Sequence, residues 1–486
     1  MKSFLISSLI TLILTVYFLI IGVDVFSLFY FICFINGILI LRDGIDFVVG
    51  KIDTFDPVGI IGIIGYFLFF VSPVLQNSWD YWPFIPSLSQ DSGWMLFWAI
   101  TNFFGVLIYQ YISKFNIRSQ VNKSGYYFNI KKFNIIMPIA LLISFMMQVY
   151  IYSKFGGISG FVETFTSRQN DGLVKAGEDP FEGLGLPMLF AESFKILIAI
   201  YIIFNLSKLK KYKSNLLFIF IMIAFVIIFL FFGGLRGSRS STVFALFFAA
   251  GMYHYWVKKI SIKFVLIGVL AVSSFLTTYY WYKIAGTEGV RAIFDSSYRS
   301  SLNSARQDVG KYVIVRDLGR MDVQTLALKR YLEEGYSYSY GRTYLTAFFS
   351  VVPKSIIPFK PDQITKEKTE ILHGIGSYIK DEPRQTTLVL GQYGEAFINF
   401  GIVGILFYFM VLGWIVRKLR QYIAVLQSWD VRRFLLPMLT VIPILMLITD
   451  MNVLILNMTR YMLFPLLVFL LCLTKVKFSS SINRVI

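Results

Sequence analysis

Few side chains in this 486-residue chain are suited to chemistry, and those few stand in unusual places. Arg236 and Arg239, in the run Phe232-Gly233-Gly234-Leu235-Arg236-Gly237-Ser238-Arg239, lie three residues apart where an apolar stretch begins. In a first helical turn they share one face, beside free backbone N–H groups and the positive end of the helix dipole. Two guanidinium forks so placed suit a phosphate or diphosphate; arginines at such a boundary also reach for lipid headgroups. Glu395 and Asn399 are four apart near the start of another apolar stretch, so they too share a helix face. Glu395 is a candidate proton acceptor, because a helix end holds geometry well. His373, in Leu372-His373-Gly374-Ile375-Gly376, is the second candidate base, in a glycine-flanked segment able to close over a substrate. Lys195 and Arg460 are charges inside apolar runs, which lipid makes costly and which therefore mark sites unless neutralised nearby. Glu192, one turn before Lys195, can neutralise it; Arg460 has no acid close in sequence.

Other chemistries have little to work with. Two histidines, His254 and His373, leave no room for a histidine-based metal centre, and Cys33 and Cys472 each lie in an apolar run. A disulfide framework and a thiolate zinc site are thereby excluded. Glu178–Asp179 and Asp381–Glu382 read as solvated loop charges rather than metal ligands, and no Walker sequence is present. No cofactor or metal is expected.

The elements that position these residues follow from composition. The chain is 56% hydrophobic and 15% charged, whereas a soluble domain carries about 25% charged residues. Lipid must be part of its solvent. A helix crosses the hydrocarbon core in about 20 residues, and twelve runs qualify: roughly 3–22, 23–41, 57–75, 93–112, 133–153, 187–206, 215–233, 240–257, 264–282, 391–416, 434–449 and 451–474. With the N-terminus inside, Lys208 to Lys213, Lys258, Lys259 and Arg417 to Arg433 all fall on the cytoplasmic side, as the positive-inside rule requires. The net charge of +18 is thus topological, and no nucleic-acid partner is expected.

The expected fold is an all-α polytopic membrane protein of about twelve transmembrane helices. Residues 1–282 hold spans one to nine, with an outer loop at 154–186; residues 283–390 form a large outer loop or lid; residues 391–486 hold spans ten to twelve and a cytoplasmic tail. Within the lid, Leu326, Lys329, Arg330 and Glu333 follow a helical spacing. Tyr344 to Val352 is apolar but too short to span, and Pro353, Pro358 and Pro361 close it, as in a helix lying on the membrane surface. The intramembrane polar residues fall in the outer halves of the spans, a distribution that favours a cavity open to the outside over a conduit.

The second half of the chain resembles the oligosaccharide repeat-unit polymerases of bacterial surface polysaccharides, the Wzy or O-antigen polymerase family. The likeness rests on the span count, the large penultimate outer loop and three patterns. These are Gly341-Arg342-Thr343-Tyr344-Leu345, Gly391-Gln392-Tyr393-Gly394-Glu395-Ala396-Phe397-Ile398-Asn399-Phe400-Gly401, and the arginine turn at 236–239. Arg299 and Gly310 match a spacing associated with some members, at the frequency chance predicts. The resemblance implies a GT-C-like glycosyltransferase in the bacterial inner (cytoplasmic) membrane, both termini cytoplasmic. It would transfer a growing capsule or lipopolysaccharide glycan from undecaprenyl diphosphate to a lipid-linked repeat unit. Its partners would be that lipid-linked oligosaccharide, the bilayer, a chain-length regulator and a flippase. On this reading Arg236, Arg239, Arg342, Arg460 and Lys195 bind the diphosphate and glycan, and Glu395 or His373 activates the acceptor hydroxyl. An O-antigen ligase, differing only in acceptor, and a polyprenyl-glycan flippase are the alternatives.

Overall fold

The structure is a computed structural model that describes residues 2–82, 85, 91–114, 126–162, 164, 183–208, 215–232, 239–285, 291–292, 294–298, 300–301, 311, 313–352, 357, 362–379, 388–426 and 430–475. It is a helix bundle. Eight helices are long and apolar enough to cross a membrane: α1 (Lys2–Ile20), α2 (Leu28–Val48), α3 (Pro57–Ser78), α4 (Ser92–Lys114), α5 (Ile130–Lys154), α6 (Gly185–Lys208), α13 (Gly391–Val425) and α15 (Met451–Leu471). Four more helices occupy the remaining predicted stretches: α7 (Asn215–Phe231), α8 (Arg239–Trp256), α9 (Ile262–Ala285) and α14 (Leu436–Ile448). Between α9 and α13 lie three short helices, α10 (Met321–Leu332), α11 (Arg342–Phe349) and α12 (Thr365–His373). The helical spacing at 326–333 and the short apolar run at 344–352 thus both form helices. The loop expected at 154–186, both acidic pairs, Arg299, Gly310 and the three closing prolines lie largely or wholly outside the described residues.

Two predicted boundaries move for identifiable reasons. The second span begins at Leu28 rather than 23, because Ser27 caps the helix by accepting from the Tyr30 N–H. It then runs on through Arg42 and Asp43, whose charges are taken up by Gln110 and Lys114 of α4. The tenth helix extends to Val425 but is broken at Phe400–Gly401, where Gly401 adopts φ 64° and ψ −153°. That backbone region is accessible to little besides glycine.

The helix ends sort into two sets. At one end, strand β1 (Tyr126–Phe128) pairs antiparallel with β2 (Leu473–Lys475), and Asp56 at the start of α3 pairs with Arg420 near the end of α13. We call this the ribbon end. At the other, the described residues of 313–379 sit over the bundle: Trp98 of α4 donates to Gln324 of α10, and Asp91 pairs with Lys329. We call this the crown end. The interior divides into a cluster built on α2, α3, α4, α13 and the crown, and a second built on α5 to α8, α14 and α15. Leu5, Leu9, Leu12 and Ile13 of α1, like Leu142 and Met146 of α5, point outward, as lipid-facing side chains do.

Candidate functional site

The crown is stitched to α13 at the helix break. A broken helix leaves the carbonyls before the break without helical partners. Here the Ile398 carbonyl accepts from the Ser339 N–H at 2.9 Å and the Asn399 carbonyl from the Tyr340 N–H at 3.2 Å. The chain then turns at Gly341, whose φ of 86° suits glycine, and enters α11. This brings the pattern Gly341–Leu345 against the pattern Gly391–Gly401.

Side chains seal the contact. The Asn399 amide nitrogen donates to Thr343 Oγ1 and to the Glu395 carbonyl, both at 2.7 Å, while its oxygen accepts from the Gly341 N–H at 2.8 Å. The Thr343 hydroxyl donates to Glu395 Oε1 at 2.8 Å, and the Met451 N–H donates to Oε2 at 2.6 Å. Glu395, Asn399 and Thr343 are all buried. Tyr344 stacks on Phe400, closing the side of the contact.

Charged groups surround this core. Asp450, fully buried where α14 gives way to α15, accepts from the Gly391 N–H at 2.9 Å and pairs with Lys368 at 3.1 Å. Arg342 pairs with Glu367 and donates to the Asp362 carbonyl at 3.1 Å. Ser339 adds a hydroxyl to Glu367 Oε1, whereas Glu367 Oε2 is buried with no hydrogen-bond partner among the described residues. Three carboxylates, Glu395, Asp450 and Glu367, therefore meet two cations, Lys368 and Arg342. Glu395 is the one held by neutral donors alone.

The other predicted site residues are distributed unevenly. Arg342 belongs to this cluster. Lys195 is fully buried in α6, its Nζ 5.0 Å from the centre of the Tyr461 ring. Ser193, two residues before it, donates to the Arg460 carbonyl at 3.1 Å, so Lys195 and Arg460 form a second cluster between α6 and α15. Arg460 lies in a π-helical turn, Thr459–Leu463, a feature frequent at functional sites. Its side chain makes no hydrogen bond or ion pair to another described residue. Nine residues separate Met451 from Arg460, so the clusters are about 13 Å apart along the bundle. His373 is not brought to Glu395: Glu367 and Lys368 occupy the buried part of α12, and His373 is exposed at its far end. Arg236 lies outside the described residues, as does the side chain of Arg239, whose backbone opens α8.

Lys368, Glu367 and Thr343 are functional-site residues that sequence reasoning passed over. Thr343 stood inside a noted pattern, but Lys368 and Glu367 belong to the charge-rich run Thr365-Lys366-Glu367-Lys368, which reads as solvated surface. Comparison with protein-family models, curated proteins and solved structures found no match for this chain.

Chemically, the arrangement presents a buried carboxylate whose Oε1 already receives an alcohol O–H. An incoming hydroxyl group needs only to replace the Thr343 hydroxyl, one O–H donor for another, to place its proton on the path to Glu395.

Proposed function

We propose that this chain is a membrane-embedded glycosyltransferase that joins lipid-linked oligosaccharide repeat units into a surface polysaccharide. The observation that carries the reading is the Thr343 hydroxyl donating to Glu395, a buried carboxylate with no cation of its own, at the crown end of an apolar bundle. In the proposed reaction Glu395 takes the proton of the acceptor hydroxyl as its oxygen attacks the donor sugar. The bond from that sugar to the diphosphate breaks, and undecaprenyl diphosphate leaves. Arg460 and Lys195, with Arg239 and Arg236 at the start of α8, would hold the departing diphosphate, and Arg342 would act from the crown side once parted from Glu367.

Charge distribution supports the orientation this requires. Lys51, Lys114, Lys131, Lys132, Lys208, Lys258, Lys259 and Arg433 cluster at the ribbon end, which the positive-inside rule makes cytoplasmic. Twelve helical stretches, read as twelve crossings, then leave both termini cytoplasmic and the crown outside, at the depth where a polyprenyl diphosphate enters. The exposed Leu345 and Phe348 of α11, opposite buried Thr346 and Ala347, would rest on that lipid surface. The test is to incubate the purified protein with undecaprenyl-diphosphate-linked repeat units and resolve the products by size. A ladder of chain lengths is expected; a single addition to a non-repeat acceptor would make it a ligase, and no product would sink the enzyme reading.

A further inference from the structure

A second polar site lies at the opposite end of the molecule. Where the last turn of α8 meets the loop before α3 there is a cleft of about 290 Å³, lined by Asp53, Tyr255, Trp256, Lys258, Lys259 and Arg433. His254, Val257 and Ile423 complete the lining, whose polar side chains are mostly hydrogen-bond donors. The Tyr255 hydroxyl and the Trp256 indole nitrogen are buried with no hydrogen-bond partner among the described residues. Trp256 is held in place by stacking on Phe434, with ring centres 4.1 Å apart. Arg433 is anchored through Nε and Nη2 to the Leu426 carbonyl, which leaves Nη1 uncommitted among the described residues.

The acceptor in this lining is already used. Asp53 Oδ1 accepts from the Phe55 N–H at 3.0 Å and lies 2.9 Å from His254 Nε2, and Oδ2 lies 3.6 Å from Lys259. The Ile260 N–H donates to His254 Nδ1, so the imidazole proton sits on Nε2, facing Asp53. Three basic side chains, Lys258, Lys259 and Arg433, and two buried neutral donors without acceptors among the described residues thus gather around one engaged carboxylate. Buried donors without acceptors are costly, and so is like charge crowded together, so the cleft suits an occupant that brings both acceptors and negative charge. The cleft also sits at helix ends, among the interfacial aromatics and lysines that mark headgroup depth.

We propose that this cleft binds a phosphate group, supplied either by the headgroup of an anionic phospholipid or by a phosphate-bearing solute. Native mass spectrometry of the full-length protein in detergent tests it, with phosphatidylglycerol, phosphatidylcholine or inorganic phosphate added. Retention of phosphatidylglycerol over phosphatidylcholine is expected for a lipid source; for a soluble source, inorganic phosphate should bind and displace the lipid. The double variant Lys259→Gln/Arg433→Gln should weaken that binding about tenfold or more, the worth of a charge-assisted hydrogen bond. Lys131→Gln/Lys132→Gln, basic residues of the same end outside the cleft, should leave it unchanged. Tyr255→Phe keeps the ring and removes the O–H, so it should weaken binding while the ligand-free protein unfolds at its usual temperature. Equal retention of both lipids with no response to phosphate would overturn the proposal, and so would equal losses in the two charge variants.

Discussion

At the ribbon end Asp43 meets Lys114 at 2.7 Å, Asp56 meets Arg420 at 3.0 Å, and Asp53, 2.9 Å from His254 Nε2, meets Lys259 at 3.6 Å. At the crown end Glu395 meets a hydroxyl and an amide N–H. Both regions bury acids at the ends of apolar helices, yet only the first gives each of these acids a cation. The ribbon-end pairs also join elements: α2 to α4, α3 to α13, and α8 to the loop before α3. They fix the bundle. At the crown end Lys368–Asp450 does similar work, but Glu395 is held by weaker, exchangeable donors. Neutral donors can be replaced by a substrate without stranding an opposite charge. The contrast teaches that ion pairs mark where this bundle is clamped, and, on the proposed function, the cation-free acid marks where it would react.

The largest effect should come from removing that acid. Glu395→Gln keeps the size and one acceptor but cannot take a proton, so polymer formation should fall by about 10²- to 10⁴-fold. The readout is the product ladder at equal protein level, and a normal ladder would erase the distinction between the two ends. Next is Lys368→Met, which leaves Asp450 buried without its cation and should cost roughly 3–5 kcal/mol of stability. Adding Asp450→Asn should recover much of that loss in unfolding measurements, because both charges are then gone.

The third effect is a pH dependence at the ribbon end. Burial acts to raise the pKa of Asp53, but the hydrogen bond and charge of His254, the Phe55 N–H and Lys259 outweigh it and hold the pKa at about 2. A carboxyl held below its ordinary value of about 4 stabilises the fold above that value and ceases to do so as pH falls through the lower one. Acid unfolding should therefore steepen between pH about 4 and about 2, and Asp53→Asn should remove that component. The smallest effect belongs to His373→Gln. An exposed side chain at the far end of α12 should alter the polymerisation rate by no more than about twofold. A dead His373→Gln variant beside an active Glu395→Gln one would move the reactive group from the bundle to the crown surface.

Much of the architecture could be read from hydropathy, because each stretch between Lys2 and Leu471 that is apolar for four or more turns became a helix. What hydropathy does not carry is how charge shifts an end. Ser27 and the Asp43–Lys114 pair displaced α2 by several residues, since a charge paired within the bundle no longer ends a span. The site was legible only as separate fragments. Gly341–Leu345 and Gly391–Gly401 stood out by their residues, but their contact depends on the break at Gly401, which a continuous apolar helix pattern hides. Asp450 stands between two apolar stretches, and nothing in Thr365–Lys368 announces that one of its lysines is buried against it. His373 stood out by its rarity, and rarity says nothing of position.

The join between Ser339–Tyr340 and Ile398–Asn399 is made by main-chain atoms, and main-chain atoms are shared by every amino acid but proline at the N–H. The exposed residues Ser337 and Tyr340 can therefore change their side chains and keep the crown seated, so long as proline enters at neither 339 nor 340 and glycine stays at 341 and 401. Related chains could carry crowns of quite different surface, shaped to different sugars, on one unchanged mounting. On the proposed function, such a mounting would separate the part of the molecule that must stay constant for the reaction from the part that meets the variable glycan.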